Sequence, residues 1–99
     1  MTTKLEAAVH YKQMQEAESL AFERGFISAL VPDDTAKGWA LTVWHAGVLQ
    51  LTVHMSKGGY SVAYTHGPDG TTTSVRTCGP VAAVDGLGMA PALAPRLTP

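Results

Sequence analysis

The chain predicts an α+β fold: an N-terminal helix packed on an antiparallel β-meander of four to five strands, then a short C-terminal helix and a Pro-rich tail. Three observations predict it. Residues 4–24 contain neither Gly nor Pro and are mostly good helix formers. Residues 39–78 fall into short runs of alternating apolar and polar residues, the signature of half-buried strands, broken by Gly-containing turns. Turn length and alternation also agree, because the expected hairpins bring one apolar set to one face.

The helix opens with Thr3-Lys4-Leu5-Glu6, a capping-box pattern, and Gly25 suits the position just past its end. Its apolar residues are poorly focused. Leu5, Val9 and Leu20 lie roughly on one side, and Tyr11, Met14, Ala21 and Phe22 lie elsewhere. One side is expected to pack on the sheet, and the second, with Tyr11 and Met14, is a candidate contact for another protein or a second copy. Phe26–Val31 is compatible with a continued helix or a fifth strand; its apolar, β-branched content between Gly25 and Pro32 favours the strand. Residues 32–38 form a solvated turn.

The meander starts at Trp39. His45-Ala46-Gly47 fits a three-residue hairpin, setting Trp44 against Val48 and Val43 against Leu49. A four-residue loop, 56–59, pairs Met55 with Tyr60 and Val53 with Val62, and another, 67–70, pairs His66 with Thr71 and Val62 with Val75. The core face then holds Trp39, Leu41, Val43, Leu49, Leu51, Val53, Met55, Tyr60, Val62, Tyr64 and Val75. The opposite face holds Thr42, Gln50, Thr52, His54, Ala63, Thr65, Thr72, Ser74 and Arg76, with Trp44 its one bulky residue. Residues 71–77, rich in threonine, read as an edge strand. Pro80 suits the first position of a short helix over Val81–Val84, and the prolines at 91, 95 and 99 leave the tail irregular or extended.

Ninety-nine residues make one domain, read as 1–88 plus the tail 89–99. An apolar content of 45% with 15% charged residues belongs to a folded chain. Seven basic against eight acidic residues leave a net charge of −1 and no basic stripe, so nucleic acid is not an expected partner. One cysteine excludes an internal disulfide. The first residues lack the apolar centre of a signal peptide, and no run approaches the ~18 apolar residues of a membrane helix. A cytoplasmic protein with no membrane association is expected.

The search for chemistry is mostly negative. His10, His45, His54 and His66 lack the short helical spacing or Cys pairing of zinc sites, so no metal or cofactor is expected. Cys78 with a histidine and Asp85 imitates a thiol nucleophile, but no protease signature surrounds it, and a small semi-buried filler is the plainer reading. The helical glutamates pair with nothing across a cleft. Gly86-Leu87-Gly88 lacks the third glycine and preceding parallel strand of a dinucleotide site. The order helix, meander, helix resembles the double-stranded-RNA-binding domain, but the final helix, PVAAVDGL, carries no lysine cluster.

What remains is recognition. Trp and Arg are enriched at binding hot spots, so Trp44 beside Arg76, with Gln50 and His54, marks the outer sheet face as a candidate protein contact. Small, near-neutral chains of this kind are similar in size and composition to the proteins by which phages and mobile elements block host complexes, anti-CRISPR proteins among them. That resemblance implies a non-enzymatic inhibitor whose partner is a host defence complex. A homodimeric accessory protein, a nucleic-acid-binding module with the topology of the double-stranded-RNA-binding domain, and a small enzyme using Cys78 and a histidine are the alternatives.

Overall fold

A computed structural model describes residues 3–76 and 79–91. Helix α1 (Lys4–Glu23) leads into a five-stranded antiparallel sheet of β1 (Ile27–Asp33), β2 (Gly38–His45), β3 (Val48–Ser56), β4 (Ser61–His66) and β5 (Thr72–Val75), followed by α2 (Pro80–Asp85). The strands lie in chain order. The α+β class and the element order match the sequence reading, and residues 27–33 take the strand alternative. Among the described residues, no helix is long and apolar enough to cross a membrane.

Both ends of α1 follow from sequence. The Thr3 hydroxyl accepts from the Glu6 N–H at 3.1 Å. At the other end the Gly25 N–H reaches the Phe22 carbonyl and the Phe26 N–H reaches the Ala21 carbonyl, with Gly25 at φ +89°. This double closure also places Phe26 and Ala21 together in the core. The buried stripe of α1 is Met14, Ala17 and Ala21, with His10 half-buried on the same line. Leu5 and Phe22 are exposed. His10 fixes the helix to the β3–β4 hairpin: its Nδ1 donates to the Lys57 carbonyl at 2.9 Å, and its ring lies where a side chain on Gly59 would sit.

Each hairpin loop is one residue shorter than expected. The β2–β3 loop is Ala46-Gly47, with both residues at positive φ (52° and 79°) and His45 facing Val48. The β3–β4 loop is Lys57-Gly58-Gly59, since the Ser56 N–H bonds the Tyr60 carbonyl. The β4–β5 loop is Pro68-Asp69-Gly70, since the Gly67 N–H bonds the Thr71 carbonyl. The pairings expected above are therefore corrected: Val43 faces Leu51, Val53 faces Ala63, and Ala63 faces Val75.

The slips do not propagate evenly. In β2–β3 a bulge between Val43 and Trp44 adds a second shift, which restores the expected faces of β2 and of β3 from Leu51 onward; Leu49, on the turn side of the bulge, is corrected from the core face to the outer one, opposite Trp44. In β4 nothing compensates, so the strand is turned over. Ala63 is buried, whereas Val62 and Tyr64 join His54 and Thr52 on the outer face. The next slip turns β5 back, and Val75 returns to the core side. An alanine suits β4 because α2 brings the bulk from above: Pro80, Ala83 and Val84 are all buried there.

The core is one cluster of Met14, Ala17, Ala21 and Phe26 with Leu41, Val43, Leu51, Val53, Met55, Ala63, Ala83 and Val84. Both helices cover the same sheet face. The Arg24 guanidinium meets the Asp85 carboxylate at 2.8 Å, joining the C-terminal ends of the two helices, and the Ala90 N–H bonds the Arg24 carbonyl.

The β2–β3 turn yields a stability prediction. A two-residue turn with both residues left-handed favours Asn-Gly, and Ala46 carries a Cβ in that conformation at a cost. Ala46→Asn should stabilise the domain by about 0.5–1 kcal/mol. A higher urea midpoint with an unchanged slope checks this; an equal or lower midpoint refutes it.

Candidate functional site

The helices and the core occupy one face of the sheet, so the site to consider first is the opposite face. Cross-strand partners share a face, and three rows build it. Ile27, Trp44 and Leu49 form the first, near the β2–β3 turn. Ala29, Thr42, Thr52, Tyr64 and Ser74 form the second. Val31, Ala40, His54 and Val62 form the third. Ile27 and Val31 are 69% and 49% exposed, and Trp44, Leu49, Val62 and Tyr64 are partly exposed. Among the described residues, no helix packs across these rows, and the β1–β2 turn, with Thr35 and Ala36, borders the third. The β4 inversion makes the face more apolar than the sequence implied.

A polar line crosses it. The His54 Nδ1–H donates to Asp33 Oδ2 at 2.6 Å. Asp33 Oδ1 accepts from the Thr35 and Ala36 N–H groups at 3.1 and 3.4 Å, the turn role expected of it. The His54 ring meets Tyr64 edge-on at 6.4 Å between centroids. Farther along, His66 Nε2 and the Thr52 hydroxyl share a 2.8 Å hydrogen bond. Asp33, Thr35, Ala36, His54, Val62 and Tyr64 surround a shallow hollow of about 400 Å³.

The hydrogen bond from His54 is the main cause that holds the Asp33 carboxyl below its ordinary 3.8; burial opposes it, and the Ala36 N–H, the imidazole charge and the Thr35 N–H add to it. A carboxyl with a lowered folded-state pKa stabilises the fold above the ordinary value, and that contribution disappears as pH falls through the lowered one. Asp33→Asn should therefore have a lower urea midpoint than the wild type at neutral pH, with the gap closing as the pH drops below 3.8. A gap independent of pH would show that the carboxylate charge has no part in it.

The predicted contact residues are dispersed. Trp44 and His54 lie on the outer face. Gln50 sits at the bulge, and its Nε2 donates to the Val48 carbonyl at 3.2 Å. Arg76 follows β5 and is exposed, but it stands three strands from Trp44, roughly 14 Å at ordinary strand spacing. The expected Trp44–Arg76 pair is thus not formed. Met14 is fully buried and unavailable to a partner, which corrects its assignment to a second helix face. Tyr11 rests against Trp39 with ring centroids 5.2 Å apart. Cys78 and residues 92–99 lie outside the described residues.

The sequence singles out neither Asp33 nor Tyr64 as a site residue: Asp33 falls in the solvated turn over 32–38, and the four-residue loop expected over 56–59 places Tyr64 on the core face. Ser56 carried the missed signal: its N–H closes the shorter loop, and its Oγ accepts from the Tyr60 N–H at 3.1 Å.

Chemically, Asp33 orients the His54 imidazole, but no serine, threonine or cysteine nucleophile bonds it among the described residues. Nor do three or more His, Cys, Asp or Glu side chains gather there to hold a metal ion. The arrangement offers hydrogen bonds and apolar area, the means of recognition. No protein-family model, no curated protein and no solved structure matches the chain, so function rests on this geometry.

Proposed function

We propose that the protein is a non-enzymatic binding protein that recognises another protein through the uncovered sheet face. The observation that carries this reading is that face itself: a five-stranded surface with Ile27, Val31, Trp44, Val62 and Tyr64 outermost and the Asp33–His54 pair among them. Apolar anchors around a few fixed polar groups are the composition of an interface centre. Small size and near-neutral charge suit an inhibitor or adaptor that works in the cytoplasm by occupying part of a larger assembly. A host defence complex targeted by a phage or mobile element is the partner class this reading favours.

The test begins with a photo-crosslinking amino acid in place of Tyr64, in cells that carry the protein. The captured partner is then purified and its affinity measured. Trp44→Ala should weaken binding by about 30-fold, the effect of a hot-spot aromatic, without changing the circular dichroism spectrum. Wild-type affinity in both Trp44→Ala and Val62→Asp would remove the sheet face from consideration. Capture of a second copy alone, with a dimer mass by light scattering, would replace the foreign partner with self-association.

A further inference from the structure

A different surface, at the β1 edge of the sheet, carries an inference of its own. Among the described residues β1 pairs with β2 alone, so alternate residues direct N–H and C=O groups away from the sheet. Edge strands are ordinarily guarded by charge or proline. Here Pro32 guards only the far end, and Ile27–Val31 contains no charged residue. Beside this open stretch, the last turns of α1 raise a wall. Glu18, Phe22 and Glu23 on the helix face Phe26, Ile27 and Ser28 across a groove of about 860 Å³. Phe22 is 80% exposed, the most exposed large apolar side chain among the described residues, and Ile27 shares the same groove.

An open strand edge next to a helix, with an apolar groove between them, is the geometry that takes a peptide by strand addition. The backbone pairs with the edge, and alternate side chains fill the groove. The rim selects the occupant. Glu18 and Glu23 are the ionisable groups lining it, and the nearby Arg24 is engaged by Asp85. A second copy's open edge, Ile27–Val31, carries no basic residue to meet these glutamates, so charge complementarity favours a foreign basic segment over self-pairing. We propose that β1 and this groove bind an extended segment of another protein, apolar at alternate positions and carrying Lys or Arg against Glu18 and Glu23.

The probe is a display library of random peptides of about eight residues, enough to span β1, selected on the immobilised full chain. The expected result is enrichment of alternating apolar sequences bearing Lys or Arg, with binding lost by at least about tenfold in Phe22→Asp. That side chain is exposed, so the change leaves the core intact. Glu18→Gln with Glu23→Gln should reduce the preference for basic residues. Three outcomes overturn the proposal: no enrichment above Phe22→Asp used as bait, a dimer that Phe22→Asp dissociates, or slow hydrogen exchange throughout 27–31 without peptide. The second assigns the edge to another copy, and the third assigns it to the chain's own remainder.

Discussion

Gly38→Ala should destabilise the domain by about 3 kcal/mol, a large effect for a single added methyl group. Gly38 is buried and faces Ser56 across the β2–β3 ladder. A Cβ built on it would run into the Met55 carbonyl oxygen and come within 2.8 Å of the Ser56 Cα. Both obstacles are backbone, so no rotamer change relieves them. Ser56 also closes the β3–β4 loop through its N–H, which transmits any displacement to a second hairpin. For a domain this size, each kcal/mol lowers the melting temperature by about 4–8 °C. A loss of roughly 12–24 °C is therefore expected in a thermal scan. A melting temperature within a few degrees of wild type would show that the strand start yields without cost.

Leu41→Ala should cost about 2–5 kcal/mol. Leu41 is fully buried at the centre of the sheet, with Leu30 and Val53 as its cross-strand partners. It is among the largest fully buried side chains, together with Met14 and Leu51. Removing three carbons there leaves a void that strands paired on both sides cannot collapse into. The control is Val31→Ala on the opposite face, where half-exposure predicts a change within about 0.5 kcal/mol. Urea unfolding of both variants tests the assignment of faces, and similar losses in the two would contradict it.

The class, the element order and the helix caps were legible because each rests on local chemistry. Thr3 caps because its hydroxyl is three residues from a free N–H, and Gly25 ends α1 because the chain must turn left-handed there. Two things were not legible. The buried stripe of α1 is largely alanine, which hardly registers as apolar, whereas the conspicuous Leu5 and Phe22 face outward. And β4 reads acceptably in either parity: Tyr60, Val62 and Tyr64 look like a core set, but the inward place goes to Ala63 because the room above it is filled from α2. Loop length decided the parity, and a glycine pair such as Gly58-Gly59 allows loops of three or four residues equally well. The same misjudged parity hid the neighbourhood of His54 and Tyr64, so the candidate site was harder to read than the fold.

The bulge beside Trp44 works like a frame-restoring insertion in a message. Counted together with the two-residue turn, it sets Leu51, Val53 and Met55 in their inward phase. Ala46, Gly47 and Val48 are exposed and contribute nothing to the core. The tip is accordingly a graft point: an epitope or a fluorescent-label sequence spliced between Ala46 and Gly47 would be carried on a hairpin whose lower half keeps its own phase.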